Sequence, residues 1–589
     1  MNWRLACVLL AICTTIVILV WAFKSGEGKP MLCEKQQMEV SSKETENDAH
    51  SLVFDDLSPG EMIQVKSYLQ QNLGVPLIDA PEAKSSDNCI YSIVLQLPPK
   101  TEVLEFLDHQ GIKPTRQSLA VVYFGNQKAP NVTEYVVGPL PEPTYHKDVT
   151  VQKYGGKLPY NRRFLLETET KEIYGFLKNE EYPKAPNFMN KVIDYNGTNL
   201  IYTGGIPPGL KSGDRKIWVS HVQNVSGYYV HPTGLEVQVD FSNLDASQWK
   251  VLKVFYNGQY FENMEDLESQ FNQGHVKVVK VKKAPSDGGY SSLKQRVPHT
   301  GPGPLHYEPR GPRYRIRNNQ VDFMSWSFAF GMDAYGGPRV FDIRFKGERI
   351  VYELSLQDAS AIYGSNSPSP MQARYMDLSF GLGNDAFTLI PGIDCPYLAT
   401  YLDRYYLFAS TLPVTHKNSI CIFEQNSEVP LRRHFDRAQN PFYGGLADSA
   451  LVFRSISAID NYDYVWDFMF HQNGAVGVKV HASGYIQSSF FGGDASEFGN
   501  RVEKWTLGTI HTHNINFKVD MDVGASSDPK KNYFHQYEAS CWIRRWTSLA
   551  HYSVSRNAYS LGRSTYMLFS PTSSFSVAAL KVTLKVYCH

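Results

Sequence analysis

The chain has 589 residues and an equal number of basic and acidic side chains, 58 of each. That length exceeds one ordinary hydrophobic core, and the charge balance leaves no basic footprint that would predict a nucleic-acid partner. Hydrophobic residues at 42% and charged residues at 20% exclude a disordered chain. The 36 tyrosines and 32 phenylalanines favour strands over helices, so we expect a fold rich in β-structure.

The N-terminal region contains an apolar run, Leu5–Phe23, which has no charged residue and lies between Arg4 and Lys24. As a helix rising ~1.5 Å per residue, this run is about as long as the hydrocarbon core of a bilayer is thick. It ends on bulky side chains and lacks the small residues of a cleavage site. We therefore predict a signal anchor that spans the membrane, with a cleaved signal peptide as the alternative.

Sequons and cysteines indicate the compartment. Asn131, Asn196 and Asn224 each begin an Asn-X-Ser/Thr motif, an acceptor for glycosylation in secreted or lumenal domains. Cys395 and Cys421 flank a compact stretch, which predicts a disulfide in an oxidising compartment; two buried free thiols are the alternative. Together with the anchor, these features predict a single-pass type II protein of the plasma membrane with an extracellular body.

The rest of the chain divides into two small mixed units and a long β-rich part. A capping box at Ser58–Glu61 predicts a helix, and strands are predicted at Tyr91–Leu97 and Ala120–Phe124. A second unit of similar texture begins near Leu158. From Tyr314 onward, short alternating strands and glycine-rich turns are typical of a large β-sandwich.

The predicted fold class is therefore α+β and mainly β, with two small α+β domains followed by a large antiparallel β-sandwich. Asn473-Gly474 is a strong hairpin signal, and it places Tyr462 at the start of a strand. The predicted boundaries are a signal-anchor helix at 1–24, a stalk at 25–50, α+β domains at 51–160 and 161–285, a linker at 286–312, a sandwich domain at 313–523 and a tail of different texture at 524–589.

Two motifs in the sandwich carry candidate chemistry: NYDY at Asn461–Tyr464 and HTH at His511–His513. Side chains two apart on a strand point to the same face, so both imidazoles can reach one ion. Imidazole suits zinc, copper, iron or nickel, so the pair alone does not identify the metal. Taken separately, such histidines are more often surface or core residues, and such tyrosines more often pack in an aromatic hairpin.

The combination resembles the copper-containing amine oxidases, most of all their membrane primary or semicarbazide-sensitive branch. The resemblance covers about Leu52 to Val523 and is carried by NYDYVWD and HTH together with PLIDA, SDNC, LQLPPK, VVGPLP, FDIRF, DCPYLATY and PLRRH. It implies oxidation of a primary amine by O2 to an aldehyde, ammonia and hydrogen peroxide. It also implies a homodimer.

The resemblance assigns the cofactors to particular residues. It implies that Tyr462 is the precursor of topaquinone, which copper(II) and O2 form from the ring in place and which then makes a Schiff base with the amine. His511 and His513 are then copper ligands. A phenol near copper held by neutral imidazoles, with open positions for oxygen, meets the physical demand of that chemistry.

Three further residues belong to the implied catalytic set. Asp377 corresponds to the base that removes the α-proton of the amine, a role that requires a carboxylate held close and partly desolvated. Tyr363 corresponds to the residue that hydrogen-bonds the quinone, and Asn461 precedes the cofactor tyrosine. Without the resemblance, Asp377 would be interpreted as a carboxylate at the end of a strand or in a turn.

Two other positions extend the prediction. The stretch Asp520-Met521-Asp522 resembles the start of a peripheral calcium site, where two carboxylates and a backbone carbonyl suit a hard cation. Without the resemblance, two acidic residues that alternate along a strand would be interpreted as part of its solvent-exposed face. Asp460 lies where relatives line the substrate channel, usually with leucine or glycine, and we hypothesise that it favours amines with a second positive charge.

The resemblance is not found after Val523. It therefore implies that the sandwich at 313–523 is a partial, extracellular catalytic domain, incomplete in this chain, and residues 524–589 are predicted to form a divergent, unrelated tail. We therefore expect the family's third copper histidine and its remaining calcium ligands to be missing. Two hypotheses follow. The chain is either a copper- and topaquinone-dependent amine oxidase of the cell surface or a catalytically silent membrane glycoprotein that acts in adhesion or partner binding.

Overall fold

The computed structural model describes residues 52–203, 215–284, 305, 308–437 and 441–522, together with the backbone of three strands between 536 and 586. The predicted signal anchor and stalk, and nearly all of the predicted linker, lie outside these residues. Within the described ranges, no helix is long and apolar enough to cross a membrane.

The first mixed unit packs helices against an antiparallel sheet. Its elements are α1 (Pro59–Asn72), β1 (Asn88–Gln96), α2 (Lys100–His109), β2 (Gln117–Phe124), β3 (Asn131–Gly138), β4 (Tyr145–Asp148), α3 (Thr150–Tyr154) and β5 (Leu158–Pro159). The capping box forms as predicted: the Ser58 hydroxyl accepts from the Glu61 N–H at 3.3 Å, and the Glu61 carboxylate accepts from the Ser58 N–H at 2.8 Å. Helix α1 then buries Met62, Val65 and Leu69 against the sheet.

The second mixed unit has its own sheet, in which neighbouring strands are ordered β10-β9-β8-β7-β6. Its elements are α4 (Glu167–Phe176), α5 (Pro186–Lys191), β6 (Leu200–Thr203), β7 (Lys216–Gln223), β8 (Pro232–Asp240), β9 (Lys250–Tyr256), β10 (Gln259–Phe261) and α6 (Met264–Asn272). Apolar residues of the helices and strands form one core on this sheet.

The remaining described elements build the sandwich and a small accessory sheet. They are β11 (Tyr314–Arg317), β12 (Gln320–Phe323), β13 (Trp326–Asp333), β14 (Gly337–Phe345), β15 (Glu348–Tyr363), α7 (Pro368–Gln372), β16 (Arg374–Met376), β17 (Thr400–Phe408), β18 (Val414–Asp436), β19 (Phe442–Ile459), β20 (Tyr462–His471), β21 (Val476–Gly484), β22 (Ser488–Phe490), β23 (Gly499–Glu503), β24 (Thr506–Thr509), β25 (His511–Met521), β26 (Gln536–Arg544), β27 (Thr547–Ser555) and β28 (Leu580–Val586).

The sandwich has two layers that face each other across an aromatic core. One layer runs β28-β21-β20-β19-β18-β17, and the other runs β11-β12-β13-β14-β15-β25-β26-β27. Phe328 of the second layer stacks on Phe470 of the first, with ring centroids 3.9 Å apart. The first layer continues into the first mixed unit, because β17 pairs with β1 at Phe408 and Ser92. The mainly antiparallel β-fold predicted from the sequence is confirmed.

Strands β18 and β19 extend beyond the sandwich as a long hairpin. Residues 425–437 and 441–448, here named the hairpin arm, are mostly exposed. Six large apolar side chains of the arm are exposed to solvent: Val429, Leu431, Phe435, Phe442, Tyr443 and Leu446. Exposed apolar side chains of this kind make the hairpin arm a candidate surface for association.

Candidate active site between the two layers

Tyr462 begins strand β20, as the sequence predicts. A two-residue turn, Asp460-Asn461, joins β19 to β20, so Ile459 and Tyr462 are directly opposite each other. Because side chains alternate along a strand, Tyr462 and Tyr464 point to the same face, which is the interior of the sandwich. Both rings are buried.

Gly484 lies opposite Tyr462 on β21 and permits this close packing. Its φ of +89° falls in the region that residues with a Cβ avoid. A Cβ at this position would stand 2.5 Å from the Asn461 carbonyl oxygen and 3.0 Å from Tyr462 Cα. Glycine is therefore required where the turn before Tyr462 meets β21.

Replacing Gly484 by alanine is expected to displace Asn461 and Tyr462 and to lower the free energy of unfolding by about 2–3 kcal/mol. The clash is with backbone atoms, which cannot move away as a flexible side chain can. Thermal denaturation of the full chain measures the effect, with Gly258→Ala as the matched control. Gly258 has a φ of +80°, but a Cβ at that position would meet no atom within 4 Å, so it reports the backbone strain alone. Equal destabilisation by both substitutions would contradict the steric argument.

The two histidines face Tyr462 from the opposite layer. On β25, His511 lies opposite Tyr363 of β15, and the two rings stack with centroids 4.7 Å apart. His511 Nδ1 is 2.8 Å from the Thr509 carbonyl oxygen, which can only accept, so Nδ1 carries the proton. Nε2 is therefore free to accept, and the Tyr462 hydroxyl donates to it at 2.7 Å.

Burial keeps both imidazoles neutral. It lowers the pKa of His511 to about 4, an effect that the hydrogen bond to Thr509 opposes. Burial, reinforced by the neighbouring His511, also holds the pKa of His513 well below its ordinary value. Neutral imidazole is the form that binds a metal ion, so these histidines are in the protonation state of ligands at neutral pH.

Asp377 is connected to the site through Tyr464, a residue of the NYDY motif to which the sequence analysis assigned no role of its own. The Tyr464 hydroxyl donates to Asp377 Oδ2 at 2.9 Å, and it also lies 2.7 Å from His513 Nδ1. Burial raises the pKa of Asp377 to about 7, although the hydrogen bond from Tyr464 opposes that rise. The alternation of β20 could have predicted this role, because Tyr464 lies two residues after Tyr462 and therefore on the same face.

A cavity of about 780 Å³ opens onto Tyr462 and Asp377. It is bounded by the second mixed unit on one side and by the sandwich on the other. Asp460 faces this cavity and is otherwise enclosed by protein atoms. Burial raises the pKa of its carboxyl group, although the hydrogen bond from Tyr229 opposes that rise. Six of the predicted site residues line the cavity: the sequon residue Asn224, together with Tyr363, Asp377, Asp460, Asn461 and Tyr462.

The donor chemistry of the histidine pair fits copper. Both side chains are neutral, and His511 directs an unprotonated Nε2 at the oxygen of Tyr462. Within the ranges whose side chains are described, no third His, Cys, Asp or Glu joins them in a group able to hold a metal ion. The pair therefore supplies two of the nitrogen ligands that such a copper site needs.

The predicted calcium residues are engaged by basic side chains of the same chain. Asp520 Oδ1 lies 2.7 Å from Lys100 Nζ, and Asp522 Oδ2 lies 3.4 Å from Arg349 Nη1. These long-range ion pairs were not predictable from local sequence. A calcium ion at these two carboxylates would have to compete with the ammonium group of Lys100 and the guanidinium group of Arg349. The calcium site, including its Met521 carbonyl, remains a prediction.

The other predicted residues have definite places. Cys395 and Cys421 are joined by a disulfide. Asn196 and Asn224 are exposed, and Asn131 is half-buried at the start of β3. Asn461 donates its amide to the Tyr485 carbonyl at 2.9 Å, which ties the turn before Tyr462 to the chain after β21.

Comparison with known proteins is consistent with this site. Three family profiles match the chain: copper amine oxidase, N2 domain, at residues 61–146; copper amine oxidase, N3 domain, at 170–274; and copper amine oxidase, enzyme domain, at 315–564. The last match extends past Val523, where the motif resemblance ended. The family likeness therefore continues into part of the segment that was predicted to be unrelated.

Relatives and solved structures agree. The chain is 46% identical over 536 residues to bovine amine oxidase [copper-containing] 3, covering 89% of this chain and 70% of that one. It is 49% identical over 478 residues to the bovine primary amine oxidase, lung isozyme, covering 80% of this chain and 63% of the relative. The crystal structure of Pichia pastoris lysyl oxidase superposes with a TM-score of 0.73 at 27% identity, over 86% of this chain and 70% of that one. The chain belongs to the copper amine oxidase family.

Proposed function

We propose that this chain oxidises primary amines at the cell surface, using copper and a topaquinone made from Tyr462, and releases an aldehyde, ammonia and hydrogen peroxide. The observation that supports this most directly is the 2.7 Å contact between the Tyr462 hydroxyl and Nε2 of His511. Asp377 lines the same cavity as that phenol. The proposed precursor ring, the proposed copper ligands and the proposed base therefore lie close together.

His511 and His513 would hold the copper through their ring nitrogens. When bound, copper supplies redox chemistry with O2 that converts the Tyr462 ring to a quinone, and the quinone supplies a carbonyl that reacts with a primary amine. Tyr363 stacks on His511 and fixes its ring plane, and the hydrogen bond from His511 Nδ1 to Thr509 fixes its tautomer.

The part of Asp377 is to accept the proton from the α-carbon of the bound amine. Tyr464 donates to Oδ2 and so orients the carboxylate. Because burial raises its pKa to about 7, the ionised carboxylate is a stronger base than an exposed aspartate. The aromatic walls of the cavity, which include Phe164 and Phe380, exclude water from this transfer.

Copper content and quinone content test the proposal together. The full chain, expressed in cells and supplied with Cu(II) under air, is expected to bind copper and to stain for a quinone at alkaline pH. Amine-dependent release of hydrogen peroxide completes the measurement. Folded protein with neither copper nor quinone would exclude the oxidase and leave the catalytically silent glycoprotein, a role in adhesion or partner binding.

We further propose that Asp460 selects amines with a second positive charge. Its carboxylate lines the cavity that contains Tyr462, where a distal ammonium of a diamine could pair with it. Substituting Asp460 by asparagine is expected to lower kcat/KM for putrescine about 10- to 100-fold and to leave benzylamine within about twofold, since only the diamine loses a charge pair. Glu262→Gln, which removes an exposed charge distant from the cavity, is the control. A parallel loss for both amines would contradict this role.

Self-association is proposed to occur through the hairpin arm. Its six exposed apolar side chains need a covering surface, and a second copy of the chain provides one. Replacing Phe442 and Tyr443 by serine is expected to convert a dimer into a monomer, as measured by light scattering of the purified chain. Serine substitution of Ile112, an exposed apolar residue outside the arm, is the control. A dimer that survives the double substitution would contradict the proposal.

Anchoring and glycosylation complete the proposed cellular setting. The run Leu5–Phe23 would hold the chain in the plasma membrane, with the catalytic domain outside the cell. Exposed Asn196 and Asn224 are accessible to glycosylation, and the disulfide between Cys395 and Cys421 is compatible with an oxidising compartment. Metal analysis of the purified chain tests whether calcium binds as a peripheral ion.

A further inference from the structure

A second cavity, of about 660 Å³, lies behind the strand and turn that carry Asp377. The sheet of the first mixed unit forms one side of it, and residues on both sides of Asp377 form part of the other. Met376 and Leu378 line this second cavity, whereas Asp377 lines the active-site cavity. Phe164 borders both. The two cavities are therefore separated by the segment that holds the proposed base.

The wall on the first unit is aromatic and apolar. Tyr91 of β1 and Tyr123 of β2 stack with ring centroids 4.6 Å apart. Leu119 and Val121 lie on the same face of β2 as Tyr123, because every second side chain of a strand points the same way, and they line the same cavity. A volume of this size with an apolar wall matches the sites that bind small organic molecules.

Among the described residues that line the cavity, the basic side chains other than Arg162 have acidic partners; Arg163, for example, pairs with Glu169 at 2.6 Å. Glu134 accepts from Lys153 at 2.7 Å, and Asp333 lies 3.7 Å from Arg339, so both lining carboxylates have cationic partners. Arg162 also lines the cavity, and its side chain is exposed. No hydrogen bond or ion pair joins that side chain to another residue within the described ranges. Its guanidinium is therefore free to bind an anion.

We propose that this cavity is a second ligand site, for a small amphipathic carboxylate whose apolar part is a short aliphatic or aromatic group. Arg162 pairs with the carboxylate, since a guanidinium presents two parallel N–H donors to its two oxygens. The apolar part packs on Tyr91, Leu119 and Val121. Because Met376 and Leu378 flank Asp377, a bound ligand contacts the segment that positions the base and can alter amine turnover from outside the active site.

Equilibrium binding tests the site without requiring turnover, so its outcome is independent of the proposed oxidase activity. The probe is 4-phenylbutyrate, titrated calorimetrically into the full chain, with the neutral 4-phenylbutanamide as a comparison of equal shape. One molecule of the acid is expected to bind per chain. The wild type is expected to bind the neutral amide roughly tenfold more weakly than the acid, and Arg162→Gln is expected to bind the acid roughly tenfold more weakly than the wild type does. Each change removes one partner of the charge-assisted pair.

Two variants and one competitor make the test specific. Lys147→Gln removes an exposed cation on β4 outside the cavity, and it is expected to bind the acid as the wild type does. Leu119→Trp fills the apolar wall and is expected to abolish binding, with folding checked by thermal denaturation. Saturating benzylamine is expected not to displace the acid. Unchanged affinity in Arg162→Gln, or displacement by benzylamine, would overturn the proposal.

Discussion

Replacing Tyr462 by phenylalanine is expected to abolish both quinone staining and amine-dependent release of hydrogen peroxide. The substitution removes the hydroxyl that lies 2.7 Å from His511 Nε2, and an unactivated phenyl ring does not undergo the oxidation proposed for the phenol. It also leaves a buried Nε2 without its donor, which is expected to lower the free energy of unfolding by about 1–3 kcal/mol. Quinone staining after copper loading and peroxide assays measure the first effect, and thermal denaturation measures the second.

The control for this substitution is Tyr260→Phe, because Tyr260 is 61% exposed and belongs to the second mixed unit. That variant is expected to keep its quinone, its peroxide release and its stability. Measuring the copper content of Tyr462→Phe separates cofactor formation from metal binding, since His511 and His513 are unchanged in that variant. Quinone staining that persisted in Tyr462→Phe would place the cofactor elsewhere and refute the assignment.

Substituting Asp377 by asparagine is expected to reduce amine turnover by at least about 10³-fold, because the amide cannot accept the α-proton. The same change is expected to stabilise the fold at neutral and higher pH. Burial raises the folded-state pKa of Asp377 to about 7 from an ordinary 3.8, so ionising the carboxylate opposes folding. The stability present below pH 3.8 is therefore lost as pH rises toward about 7.

Above pH 7, Asp377→Asn is expected to exceed the wild type in unfolding free energy by on the order of 2 kcal/mol. Wild-type turnover is expected to rise as pH increases through the same range, because only the ionised carboxylate is a base. Asp385→Asn is the matched control, since burial also raises the pKa of Asp385 to about 7 but its side chain does not line the active-site cavity. This control should gain stability without losing turnover. Equal turnover of the wild type and Asp377→Asn would contradict the assignment of Asp377 as the base.

Local pattern predicted the features of the site that depend on strand geometry. The hairpin at Asn473-Gly474 and the start of β20 at Tyr462 follow from turn chemistry and alternation, and both are present. The same-face placement of His511 and His513 follows from their spacing of two. What joins them to Tyr462 is the packing of two layers, and that required the family resemblance.

The remaining contacts depend on distant parts of the chain. Lys100 and Asp520 are separated by 420 residues, so their ion pair arises only from the docking of the first unit on the sandwich. Tyr464 was interpreted as part of a motif, although its hydroxyl connects Asp377 with His513. The need for Gly484 arises from a backbone contact across β20 and β21, which no local pattern reveals.

The pairing of β1 with β17 has a consequence for how the chain unfolds. Ser92 of β1 and Phe408 of β17 are paired in one sheet. The first mixed unit therefore cannot separate without exposing the unpaired backbone groups of β17 at the edge of the sandwich layer that carries Tyr462. Asp56 strengthens this junction, because it accepts from the Met332 N–H and pairs with Arg339. Opening of the first unit and loss of order in the sandwich are therefore energetically coupled, and we expect the two to unfold in one cooperative transition.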